Sequence, residues 1–293
     1  MRMLCLRSCL SFFFITLGLF WTGPASAELA TGKHFLWRVR NVPQPIYLLG
    51  SIHALRRSDY PLGREIDEAI GQCRRFVFEY DSYHTDPRLW QRKMLEAQHY
   101  RAGTTLKDKI RPETYAQIQR IAKVRASEYD DVKPWAIAYF MMSHPYFHDI
   151  HKRYGTDAYV IRRASPFAEY AGLETLDEHI RVLASMSDVE SEVFLLQTFV
   201  HSDRIAQEMS NTIAAYKRGD TRALAAANAF EDRESPFLTS RIIDQRNAAW
   251  IPRIEQEIRS GKATMIVVGA RHLCGPHNVI GLLQGRGYIL EQL

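Results

Sequence analysis

Ile46-Tyr47-Leu48-Leu49-Gly50-Ser51-Ile52-His53 and Met265-Ile266-Val267-Val268-Gly269-Ala270-Arg271-His272 share one form: an apolar run, then Gly-x-x-His. Short continuous apolar runs that stop at glycine suit strands buried on both faces. Phe76-Val77-Phe78 is a third such run and leads into Glu79-Tyr80-Asp81. Between the first and third runs, Pro61 to Cys73 fits a helix with Ile66, Ala69, Ile70 and Cys73 on one face. Strand, helix and strand within about 40 residues predict a βαβ unit.

Outward from these runs, Phe35 to Arg40 alternates apolar and polar residues, as in a half-buried strand, before the turn chemistry of Asn41-Val42-Pro43-Gln44-Pro45. Ser240 to Arg259 reads as a long helix that tolerates Pro252 and stops at Gly261. Asn278 to Gln284 reads as a helix, and Tyr288-Ile289-Leu290 as a last strand. The middle, about 87–230, is mostly helical in pattern. Arg111-Pro112-Glu113 opens one helix there. Pro134 starts another, with Trp135, Ala138, Tyr139 and Met142 as its apolar face. Ser187-Asp188-Val189-Glu190 has capping-box spacing, and Phe167 to Leu173 reads as a strand between helices. The fold expected is α/β, one domain over 28–293 with a mixed-sheet core and a large helical insertion at about 87–230.

Composition agrees. Of 293 residues, 46% are hydrophobic and 24% charged, which excludes a disordered or coiled-coil chain. Residues 1–27 read as a signal peptide: Arg2 and Arg7, then the 12 apolar residues Leu10 to Trp21, then Ala25-Ser26-Ala27. Twelve residues fall short of the roughly 20 needed to span a bilayer. The expectation is export to the periplasm or beyond, with a mature chain starting near Glu28 and no transmembrane segment. Two arginines and no acid leave with residues 1–27, so the net charge falls from +5 to +3. That mild balance gives no basis for a nucleic-acid partner. Cys73 and Cys274 remain and can pair in an oxidising compartment, but one bridge is no disulfide framework. The sequence carries no signal for an oligomeric state.

In an open α/β sheet, ligands gather at the carboxyl ends of the strands. His53 and His272 each follow such an end, and Glu79 and Asp81 follow a third. Two imidazoles and a carboxylate suit one divalent ion, Zn²⁺ or Mn²⁺, with open positions for an activated water. Arg246 is a candidate for holding a substrate carboxylate or a developing oxyanion, against an ordinary surface ion pair. Glu174 enters the crevice or serves as a charge at a helix start. Asp81 orients a histidine or caps a turn. His144, His148 and His151 would stack on one helical face, a competing three-imidazole set that Pro145 interrupts. His-Glu-x-x-His, Gly-x-Ser-x-Gly, Walker-type and Gly-x-Gly-x-x-Gly signatures are all missing.

These pieces, in order, resemble the TraB/GumN family, which includes the Tiki metalloproteases. The matching segments are Gly50 to His53, Phe78 to Asp81, Lys133-Pro134-Trp135, Gly155-Thr156-Asp157, Gly172 to Thr175, Arg246-Asn247, Gly269 to Leu273 with Gly275, and Gly287-Tyr288. The resemblance implies a fold akin to the erythromycin esterase and haem-binding ChaN-like proteins. It implies peptide cleavage dependent on Mn²⁺ or Co²⁺, centred on His53, Glu79 and His272. Two positions depart from the pattern: Gln245 stands where the family often has Glu, and Cys274 where an aliphatic residue is usual. The expectation is a metal-dependent hydrolase acting on a peptide or amide bond. His53, Glu79 and His272 would hold one Mn, Co or Zn ion. Glu79 serves as ligand or general base, and Arg246 acts in catalysis. Asp81, Glu174 and Asn247 support a ligand or touch substrate. The alternatives are a crevice that binds haem or a partner protein without turnover, and a metal-free esterase using one histidine as base.

Overall fold

The computed structural model describes residues 32–121, 129–143 and 150–293. The expected signal peptide, His144 and His148 lie outside them. Six strands form one mixed sheet among the described residues: β1 (Leu36–Val39), β2 (Ile46–Ser51), β3 (Arg75–Tyr80), β4 (Glu169–Glu174), β5 (Thr264–Gly269) and β6 (Leu290–Gln292). Their order is β4-β3-β5-β2-β1-β6. The four strands from β4 to β2 run parallel, while β1 pairs antiparallel with β2 and with β6. Ser51 lies opposite Gly269, and Phe78 opposite Val267. The carboxyl ends of β2, β3, β4 and β5 therefore share one edge, where an α/β sheet collects ligands.

The sheet is central because its strands are apolar on both faces. Side chains alternate across a strand. Ile46, Leu48, Val77, Ile266 and Val268 pack with Trp250, Ile251 and Ile254 of the helix Gln245–Arg259. Tyr47, Leu49, Phe76, Phe78, Met265 and Val267 pack with Ile66, Ala69 and Ile70 of the helix Arg64–Gln72. The strand expected to be half-buried, β1, is covered on both sides: Leu36 joins one core, Trp37 and Val39 the other. Its alternation reflects only Arg38, which is part-buried.

The helical stretch expected over about 87–230 carries β4, which pairs with β3 and closes that side of the sheet. Helices before and after it build a third core around Trp135, Ile137, Leu195 and Phe199. Pro134 does start a helix, Pro134–Ser143, but the buried side chains are Trp135, Ala136, Ile137 and Ala138. Tyr139 and Met142, expected on the buried face, are each 39% exposed. That helix is apolar all round, so periodicity could not single out a face. The helix expected over Ser240–Arg259 opens instead with a wide π turn, Ser240–Asp244. Ser187 caps Asp188–His201 as its spacing predicted, accepting the Glu190 N–H. Cys73 and Cys274 are free, buried, and in different cores, so the pairing considered above is not formed. Burial pushes both thiols up to about 12.

Candidate metal and catalytic centre

Four strand ends and one helix start supply the site. β2 runs into the loop carrying His53, β3 carries Glu79, β4 ends on Glu174, and β5 leads into the short turn Ala270–Leu273 carrying His272. Arg246, Asn247 and Trp250 come from the first turns of Gln245–Arg259, directly after the π turn. Such widened turns recur at functional sites because they re-aim the side chains that follow.

The His53 loop is pinned by Gly155-Thr156-Asp157. Thr156 N–H donates to the Ile52 carbonyl at 2.9 Å, and its hydroxyl accepts from Ile52 N–H at 3.3 Å. A Cβ on Gly155 would overlap the His53 carbonyl, so only glycine allows this approach. Asp157 Oδ2 then takes His53 Nδ1 at 2.9 Å. The Asp157 carboxylate raises the His53 imidazolium to about 9, against burial that lowers it. The His53 side chain is 63% exposed, at the mouth of the site.

His272 is enclosed, and burial drives its imidazole down to about 3, so it stays neutral. Asn247 fixes its tautomer. The amide Nδ2 donates to the His277 carbonyl at 2.9 Å, which leaves Oδ1 to accept Nδ1–H of His272 at 2.6 Å. His272 Nε2 is thereby the unprotonated nitrogen, 3.8 Å from Glu79 Oε1.

Glu79 Oε1 accepts the Gly269 N–H at 2.8 Å, and Oε2 accepts Arg246 Nη2–H at 2.5 Å. Burial raises the Glu79 carboxyl, but Arg246, the two histidines and the Gly269 N–H outweigh it and hold the group well below the usual carboxylate range. Glu174 is buried and grips the same guanidinium twice, at 2.6 and 3.2 Å. It also accepts from Trp250 Nε1 at 3.1 Å and meets His179 Nδ1 at 2.7 Å. Arg246 Nη1 reaches the Ile242 carbonyl at 3.2 Å and His272 Nε2 at 3.3 Å, so all five N–H donors have an acceptor. Its guanidinium carbon lies 4.5 Å from the centre of the Trp250 ring.

His53, Glu79 and His272 converge on Gly269. A Cβ there would lie 3.3 Å from Glu79 Oε1, 3.5 Å from His272 Cδ2 and 3.9 Å from His53 Nε2. The missing methyl leaves a polar niche between the three side chains. A second grouping overlaps it: one atom each of Glu79, Glu174 and His179 lies within 4.8 Å of the others, close enough to hold a metal ion. Arg246, between Glu79 and Glu174, sets one positive charge against those two carboxylates. The niche opens into a cleft of about 500 Å³ whose apolar lining includes Tyr139, Met142, Met209 and Ile242.

Of the residues expected from sequence, His53, Glu79, Glu174, Arg246, Asn247 and His272 gather here. Asp81 does not. It accepts His84 N–H at 3.0 Å, faces His84 Nδ1 at 2.8 Å, and caps the turn after β3. His151 is exposed and pairs through its backbone with Leu55. Cys274 packs in the core as a small hydrophobe. Sequence reasoning missed Asp157, His179 and Trp250 as site residues. Asp157 was within reach, since Gly155-Thr156-Asp157 stood out as a motif with no role assigned.

A family model described as the TraB/PrgY/gumN family matches residues 35–292. No curated protein and no solved structure matches the chain.

Proposed function

The chain belongs to the TraB/PrgY/gumN family, and from that premise we propose that it is an exported, metal-dependent hydrolase of peptide or amide bonds. One observation carries the reading. Both imidazoles have Nδ1 tied to a side-chain oxygen, Asp157 for His53 and Asn247 for His272, which leaves each Nε2 for the niche shared with Glu79. Ligating histidines are oriented in just this way, by an oxygen on the other ring nitrogen.

The donor set fits one divalent ion of Mn, Co or Zn held by His53, Glu79 and His272. The charges agree: Glu79, Glu174 and Asp157 outnumber Arg246 by two once His53 is neutral. When bound, such an ion supplies Lewis acidity to a scissile carbonyl and lowers the pKa of water. Glu79, acidified by its neighbours, is a poor base and suits the ligand role over the general-base role. Arg246 fixes Glu79. Its Nη1–H, held only at 3.3 Å by His272 Nε2, is the donor available to a developing oxyanion once that nitrogen is engaged. The apolar cleft suits an extended peptide segment with hydrophobic side chains.

The test is elemental analysis of protein purified without chelator, with peptide hydrolysis assayed before and after metal removal. His53→Ala and His272→Ala should fold, lose the metal and lose hydrolysis. Full activity in either variant removes the mechanism. A visible band on adding haem, with no divalent metal bound, would favour the non-enzymatic haem-binding reading. Hydrolysis insensitive to chelator would favour the metal-free esterase.

A further inference from the structure

A second cavity, of about 250 Å³, shares Arg246 with the cleft. It lies between the helices Leu176–Ala184 and Gln245–Arg259, and its lining includes four arginines: Arg181, Arg241, Arg246 and Arg253. Two carboxylates line it as well, Glu174 and Glu178. Glu174 is fully engaged by Arg246, Trp250 and His179. Glu178 accepts the Thr175 N–H at 2.7 Å and meets Arg253 only loosely, at 3.4 Å. Glu79 and Glu190, outside the lining, hold Arg246 and Arg241, so the four arginines are matched by four carboxylates and the cavity carries no surplus charge.

Two of the arginines have donors to spare. Arg181 is exposed, and its guanidinium makes no hydrogen bond or ion pair among the described residues. Arg241 donates to Ser185 Oγ at 2.6 Å and to Glu190 at 3.2 Å, but its buried Nε–H has no acceptor. A buried N–H without an acceptor is costly and calls for a partner. Guanidinium forks match the paired oxygens of carboxylate and phosphate groups.

We infer that this cavity is a binding site for an oxyanion, a carboxylate or phosphate group, taken by Arg181 and Arg241. The ligand arrives as a free anion or as an acidic group of a longer molecule lying across Arg246 from the candidate centre. The inference does not rest on the hydrolase reading, because binding is measured without turnover.

The experiment uses the full chain, by calorimetry and thermal unfolding, at ionic strength held constant with chloride. The probes are inorganic phosphate, acetyl-Gly-Glu-Gly-amide and its Gln counterpart. Saturable binding of phosphate or the Glu peptide, absent for the Gln peptide, is the expected result. Phosphate alone identifies a free anion, and the Glu peptide a carboxylate carried by a larger ligand. Arg181→Ala should weaken binding about tenfold, the scale of one charge-assisted contact. Arg181→Ala with Arg241→Gln should abolish it. Arg241 also braces a helix start, so Arg181→Ala alone decides the matter if the double variant fails to fold. No saturable binding by either acidic probe, or unchanged affinity in Arg181→Ala, overturns the inference.

Discussion

Asn247 Oδ1 lies 2.6 Å from His272 Nδ1, and the other end of the same amide is held by the His277 carbonyl. The amide therefore cannot flip, and the tautomer of a buried imidazole is set by a residue 25 positions away in sequence. Asn247→Ala should leave the fold intact and reduce divalent-cation affinity and hydrolysis by about 10- to 100-fold. Titration calorimetry with Mn²⁺ reads this directly. Wild-type affinity in the variant would deny Asn247 any orienting role.

Gly269→Ala separates the niche from the fold. Its backbone is ordinary, with φ at −50°, and the nearest atoms to the added methyl belong to the three site side chains. Stability should fall by about 1–3 kcal/mol, while cation binding falls by at least about tenfold. A variant that binds Mn²⁺ normally would move the cation seat elsewhere.

Cation affinity should climb with pH. A cation at His53 Nε2 displaces the proton that Asp157 holds there up to about 9. Apparent affinity should rise up to about tenfold per pH unit below that value and level off above it. In Asp157→Asn the break should move toward the ordinary 6.5. For folding, a raised imidazole stabilises fully below 6.5, and that contribution disappears as pH rises through about 9. Solvent screens it, because the side chain is 63% exposed. A pH-independent affinity between 6 and 9 would exclude His53 as a ligand.

Arg246→Met should cost about 3–5 kcal/mol, measured by urea unfolding, because two buried carboxylates lose their shared cation. Adding Glu79→Gln to the same chain should recover part of that loss. Additive losses in the double variant would mean that the two residues are not coupled.

Acid stability has a separate probe on the helix Asp188–His201. Buried Glu192 accepts from Arg111 N–H at 3.1 Å, Arg111 Nε at 3.0 Å and the Thr114 hydroxyl. Burial raises its carboxyl, and these bonds pull it below the usual range. Its contribution is present above the ordinary carboxylate pKa and fades as pH falls through the lower folded value. Glu192→Gln should therefore flatten the acid limb of a thermal-unfolding profile. An unchanged acid limb would show that the group is not linked to folding.

The sheet was readable in advance because its strands are continuous apolar runs, and the central ones lie within a residue or two of their expected bounds. Gly-x-x-His at two strand ends made His53 and His272 readable too, since parallel strands bring their carboxyl ends to one edge. Where local chemistry competes with tertiary placement, the sequence says less. Asp81 had an equally good use three residues away, on His84. The exposed half of Pro134–Ser143 is as apolar as the buried half, so no period marked it. Asp157, His179 and Trp250 gain their roles only through neighbours distant in the chain, which single-sequence periodicity does not encode.

β5 lies between β3 and β2, although roughly two hundred residues separate it from either in the chain. During synthesis on a ribosome, the first half of the sheet must wait for its middle strand. Non-local pairings of this kind slow folding. Any nascent or truncated product ending before Thr264 would lack β5, Gly269 and His272 together, and so would carry no assembled centre.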